Sequence, residues 1–213
     1  MQKLPSKQIT SLDDLLTLPS PAAYLSLPAS GTSWMCRAMY EAGRPIHHEH
    51  YRRQNFRKQD KDLMTFKFTD KDLENRTFRY GIHAPKAGPF TDFRCLAYQV
   101  RNPLKQVYSM SCLDTGSTIT QVSDVCGGVP NISEDNLGWC IALYVAFHER
   151  AKKYADVWFR VEDMEWSLPH IVFHNKCMEP SWEELKSLDP TGTALLQKIH
   201  EELGYGSRFN TRS

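Results

Sequence analysis

The chain has no hydrophobic run that approaches the length of a helical membrane span, so no transmembrane segment is expected. Its first residues, MQKLPSKQITSLDD, lack the apolar centre of a signal peptide, and the expected setting is cytoplasmic. The six cysteines are scattered without a CxxC pair. They read as reduced thiols, with three disulfides in a secreted or lumenal protein as the other reading. A net charge of +1 exerts no overall pull toward nucleic acid or membrane, so any electrostatic attraction must be local. There is no internal repeat and no low-complexity tract. The histidines offer no metal motif. His47, His48 and His50 do not form HExxH, and alternation along a strand sends neighbours to opposite faces. His170, His174 and Cys177 fall at i, i+4 and i+7, but Pro169 and the adjoining IVF run point to packing. No metal is expected. With 41% hydrophobic and 24% charged residues over 213 positions, the chain fits one sizeable soluble domain, or one domain with a small appendage.

The most informative stretch that is present runs from Tyr24 to Trp34, YLSLPASGTSW. A short apolar strand breaks into a small, hydroxyl-rich loop and then a helix. Ser30, Gly31, Thr32 and Ser33 allow close backbone approach and supply hydroxyl donors, and a helix from about Trp34 adds its positive end. This arrangement suits a phosphate or sulfate. The GxxxxGK[ST] pattern and its lysine are absent, so the loop is not the ATP/GTP type.

Further along, the spacing predicts strands at Ala23–Leu27, Pro45–His50, Cys95–Val100 and Val157–Val161, with alternation in Met64–Phe68. Helices are expected over Trp34–Ala42, from Pro103 to about Met110, over Glu134–Tyr154 and over Thr193–Leu203. Residues 1–20 read as a loosely attached lead-in, with Leu12, Leu15, Leu16 and Leu18 forming one amphipathic turn. Residues 111–133 read as a long loop. Strands alternating with helices imply an α/β domain with a central, mostly parallel sheet flanked by helices, and ligands at the carboxyl ends of the strands. Arg101, at one such end, stands eight residues before Ser109, a spacing that lets a guanidinium and a hydroxyl converge on one phosphate. A surface arginine and a helix-facing serine are the plainer reading of that pair alone.

Taken together, these segments resemble the sulfotransferases that use 3'-phosphoadenosine 5'-phosphosulfate (PAPS). The family's 5'-phosphosulfate loop, P-[KR]-[SA]-G-T-[TS]-[WL], is similar to Pro28-Ala29-Ser30-Gly31-Thr32-Ser33-Trp34. Its R-N-P-x-x-x-x-x-S element is matched by Arg101-Asn102-Pro103 through Ser109, and its R-x-E-D-L/M segment by Arg160-Val161-Glu162-Asp163-Met164. The resemblance covers about residues 23–165 and implies a P-loop-like sulfotransferase fold. It implies that the amides and hydroxyls of Ser30–Ser33, with Trp34, hold the 5'-phosphosulfate, and that Arg101 and Ser109 hold the 3'-phosphate. The donor would be PAPS and the product 3',5'-adenosine bisphosphate (PAP). In-line sulfuryl transfer to an acceptor hydroxyl or amine needs positioning, charge neutralisation and a base, as phosphoryl transfer does.

One departure stands out. The family loop carries Lys or Arg after the proline, where this chain has Ala29. Losing such a preorganised charge costs about 3 kcal/mol or more of transition-state stabilisation. Cations that could substitute are Arg37 and the basic stretch Arg44–Lys61, which reads equally as a solvated face. For the acceptor base, Glu49 comes first and His48 second, with His83 a third candidate. Gly204–Arg208 only loosely matches the family's closing segment, and a frayed end is its plainer reading. The basic stretch favours an anionic or carbohydrate acceptor over a flat hydrophobic phenol. A binding protein that keeps PAP or PAPS without transfer is the alternative function, and a P-loop small-molecule kinase is a weaker third.

Overall fold

The segments AAYL and CLAYQV are small or apolar at nearly every position, the composition of parallel strands covered on both faces. All residues of both are buried. In the computed structural model, which describes residues 3–20, 22–44, 46–47, 62–65, 70–75, 93–112, 136–164 and 179–206, they are the two central strands of a six-stranded sheet. The strands are β1 (Lys7–Ile9), β2 (Ala22–Leu25), β3 (Ile46–His47), β4 (Asp62–Thr65), β5 (Cys95–Val100) and β6 (Val157–Arg160). Their order is β1-β6-β5-β2-β4-β3, and every pairing is parallel. The α/β class expected from the sequence is therefore present.

The helices are α1 (Leu12–Leu16), α2 (Thr32–Glu41), α3 (Asp70–Asn75), α4 (Pro103–Ser111), α5 (Asn136–Tyr154), α6 (Trp182–Leu188) and α7 (Pro190–Glu202). The chain divides into two compact units. The first comprises Met1–Val100 with Arg150–His174, and the second Arg101–Glu149 with Asn175–Ser213. Among the described residues, no helix is long and apolar enough to cross a membrane.

The first unit holds the sheet. One face of its central strands presents Ala22 and Tyr24, Cys95 and Ala97, and Val157 and Phe159 to Met35, Cys36 and Met39 of α2, in one buried cluster. Residues 7–18, within the expected lead-in, contribute a strand and core side chains. β1 pairs with β6, Lys7 opposite Val157, and Leu12, Leu15 and Leu18 lie in the same cluster. Burying side chains of this size stabilises by about 1.5–3 kcal/mol each, which holds the segment in place. Ser11 caps α1 by accepting from the Asp14 amide, and the Arg44 guanidinium closes its other end, donating to the carbonyls of Leu16 (2.5 Å) and Leu18 (3.1 Å).

In the second unit, Asn102 caps α4, its Oδ1 accepting from Leu104 and Lys105, and Pro103 fills the first helical position, where no donor is needed. The SWEE sequence forms a capping box at the start of α6, a helix the sequence reading passed over. Asp189 then caps α7, which begins three residues before the expected Thr193.

The connections from β2 lead toward β4 and β3, whereas β5 is followed by β6 on its other side. The order therefore reverses between β2 and β5. In open parallel sheets ligands collect outside the carboxyl ends of the strands at such a switch point.

Candidate functional site

β2 stops at Leu25, two residues short of the expected Leu27, and Ser26–Leu27 lead into the loop at the switch point. The loop turns through two left-handed residues, Ala29 at φ 61° and Gly31 at φ 90°. Glycine adopts this region freely. For alanine it is an unusual conformation that persists only where the surroundings enforce it. Between them Ser30 is wholly buried. Its amide donates to the Leu27 carbonyl at 3.4 Å, and its carbonyl accepts from Gln99 Nε2 at 2.9 Å. Ser30 Oγ lies 3.5 Å from the same nitrogen. Ser30 is thus an anchor turned toward the sheet rather than an outward hydroxyl.

Gly31 is the N-cap of α2 and carries no side chain to bond the first turn, which also contains no acidic residue. Among the helices whose N-caps are described, α1, α4, α6 and α7 each have a side-chain cap and α2 has none. Among the described residues, the positive end of α2 thus has neither a capping side chain nor an acidic residue in its own first turn. Thr32 and Ser33, expected in the loop, form its first turn, so the helix starts two residues earlier than expected. The Trp34 side chain, only partly buried, packs against the apolar cluster under α2.

Arg101 and Ser109 are brought together. Arg101 opens the second unit directly after β5, and its NH1 donates to Ser109 Oγ at 3.4 Å. Both are more than 90% buried, and the Arg101 carbonyl accepts from the Tyr144 hydroxyl at 3.4 Å. A buried guanidinium on a two-turn-distant serine is a rigid fork suited to a phosphate oxygen.

Arg160 ends β6 beside Val100, its register partner, and forms an ion pair with Asp163. Val161 and Met164 enter the apolar cluster. The Arg160–Met164 segment thus closes the strand structurally.

Two cations considered as substitutes for the missing loop lysine are committed elsewhere. Arg44 caps α1, as above, and Arg37 is exposed and paired with Glu41 at 2.9 Å. Glu49, His48, His83, the stretch from Tyr51 to Lys61, His170, His174, Cys177 and Arg208 lie outside the described residues. One trio among the described residues, His148, Glu149 and Glu202 of the second unit, brings possible ligand atoms within 4.8 Å of one another. There the buried His148 already meets Glu202, Nε2 to Oε2 at 3.4 Å.

Sequence reading missed Gln99 and Ser26. Both continue the face that Ala22–Tyr24 and Cys95–Ala97 present to the core, and both are buried. The signal was a glutamine inside the apolar run CLAYQV. Comparison with family models, with curated proteins and with solved structures returns no match for this chain.

Proposed function

We propose that the chain is a sulfotransferase that binds 3'-phosphoadenosine 5'-phosphosulfate and transfers its sulfuryl group to an acceptor hydroxyl or amine. The observation that carries this reading is the loop after β2. A helix with a glycine N-cap and no capping side chain starts at the topological switch point of a parallel sheet, within the sequence Pro28–Trp34 that resembles the family's phosphosulfate loop. The amides from Gly31 to Ser33 hold the 5'-phosphosulfate, while Arg101 and Ser109 hold the 3'-phosphate. Glu49, or His48 in its place, takes the proton of an acceptor, for which the basic stretch favours a carbohydrate or an anionic small molecule.

A second reading has its own support. With Ala29 in the loop, and Arg37 and Arg44 engaged elsewhere, a protein that holds PAP or PAPS without transferring the sulfuryl group is the alternative.

Calorimetric titration with PAP and with ATP tests donor binding. PAP should bind and ATP should bind at least tenfold more weakly, and Arg101→Ala should weaken PAP by roughly 10–100-fold, the loss of a charge-assisted fork. Equal affinity for ATP, or an unaffected Arg101→Ala, would sink the reading. A radiolabelled-sulfate screen over glycan, phenol, lipid and peptide acceptors then separates enzyme from binder.

A further inference from the structure

We infer that Gln99 is a positioning residue for the anion loop. It holds the Ser30 carbonyl against the sheet and thereby turns the Gly31 N–H outward, where it meets the 5'-phosphate end of the donor. This rests on the donor-binding reading above.

The register pairs Leu25 with Tyr98, so one step further Ser26 stands opposite Gln99. At these positions the core-facing rows Ala22-Tyr24 and Cys95-Ala97 change from apolar to polar, directly beneath the loop. Gln99 is 1% exposed, and its one contact of good length is Nε2 to the Ser30 carbonyl at 2.9 Å. A carbonyl only accepts, so the amide must present its NH2 group to Ser30.

In a trans peptide the C=O of one residue and the N–H of the next point in opposite directions. A Ser30 carbonyl tied to the floor therefore aims the Gly31 N–H away from it. Ser30's own amide is used within the turn. The Gly31 N–H has no acceptor among the described residues. The two left-handed residues that flank Ser30 complete a concave row of amides of the kind that binds anions.

Gln99 holds the loop at a structural disadvantage. Its Oε1 and the neighbouring Ser26 Oγ are buried without a hydrogen-bond partner among the described residues. An apolar side chain would fill this floor without stranding an acceptor. A glutamine kept there aims a peptide rather than filling a core.

Titration calorimetry on the full chain tests this with two probes, PAP and adenosine 3'-monophosphate, which lacks the 5'-phosphate. The wild type should prefer PAP. Gln99→Met, of similar volume, should cut that preference about tenfold, as for one hydrogen bond to a charged group, with 3'-monophosphate affinity unchanged. A preference left intact, or both affinities falling together as in general damage to the fold, overturns the role of Gln99. In 15N-labelled wild type, the Gly31 amide proton should move downfield on addition of PAP. A stationary Gly31 signal with PAP bound overturns the proposal even where Gln99→Met fails to fold. A wild type that binds neither probe overturns the donor reading, and this proposal with it.

Discussion

Ala29→Gly probes the loop at its most unusual point. Ala29 sits at φ 61°, a region that costs an L-residue about 1–2 kcal/mol. Glycine removes that cost, and its greater freedom in the unfolded chain takes back roughly 0.5–1 kcal/mol. Ala29 is only part-buried, so loss of its methyl forfeits little packing. The net expectation is a gain of about 0.5–1 kcal/mol, which in a chain of this size raises Tm by roughly 1–4 °C. Differential scanning calorimetry and urea titration measure the gain. The same substitution frees the loop, so PAP should bind about 2–5-fold more weakly, because ordering that is built in now must occur on binding. A drop in Tm would refute the strain at Ala29, and unchanged PAP affinity would refute the claim that this strain preorganises the loop.

Three other perturbations follow from the structure. Ala29→Lys places a cation where the resembling loop carries one, at a position whose backbone already accepts a side chain. PAPS hydrolysis, read as sulfate release without an acceptor, should rise about 100-fold if the missing charge limits transfer, and an unchanged rate removes Ala29 as the limiting feature. Gly192→Ala should destabilise by about 2–4 kcal/mol, from loss of the Asp189 cap and overpacking. The new Cβ would lie 2.8 Å from the Asp189 carboxyl carbon and 2.9 Å from Ile141, and urea unfolding reads the outcome. His200 is buried between Trp182 and Tyr205, with ring centroids at 5.3 and 5.5 Å. Burial holds its pKa below the ordinary value, with Glu201 opposing. The unfolded chain therefore takes up the proton first, and stability should fall as pH drops below about 6.5, levelling off below the folded value. Thermal melts from pH 8 to 5 should show that slope, and His200→Leu should flatten it.

The well-marked elements were legible where local chemistry suffices. CLAYQV reads as a strand from composition alone, and its observed bounds coincide with the expected ones. Asn102-Pro103 announces a helix start, and the expected end of α5 at Tyr154 holds. Other features were not legible for equally physical reasons. β1 is a three-residue edge strand, too short for a period, and only its pairing with β6 makes it a strand. The leucines at 12, 15 and 18 look like any amphipathic turn until a core closes over them. Arg44 looked like a spare cation, yet its partners are carbonyls 26 and 28 residues away in sequence, and backbone acceptors leave no mark on composition. The Gln99–Ser30 contact joins positions 69 residues apart, and nothing local connects them.

Sequence alone settled the α/β class, the break from β2 into a small, glycine-bearing loop and the helix opened by Asn102-Pro103. Each is written in side-chain size, glycine placement and capping chemistry within a few neighbouring residues. Tertiary structure alone decided that the N-terminal residues join the sheet, that Ser30 faces inward, and that a buried glutamine holds the loop. These outcomes depend on strand order and register, which bring distant segments into contact through pairings that no short stretch of sequence encodes.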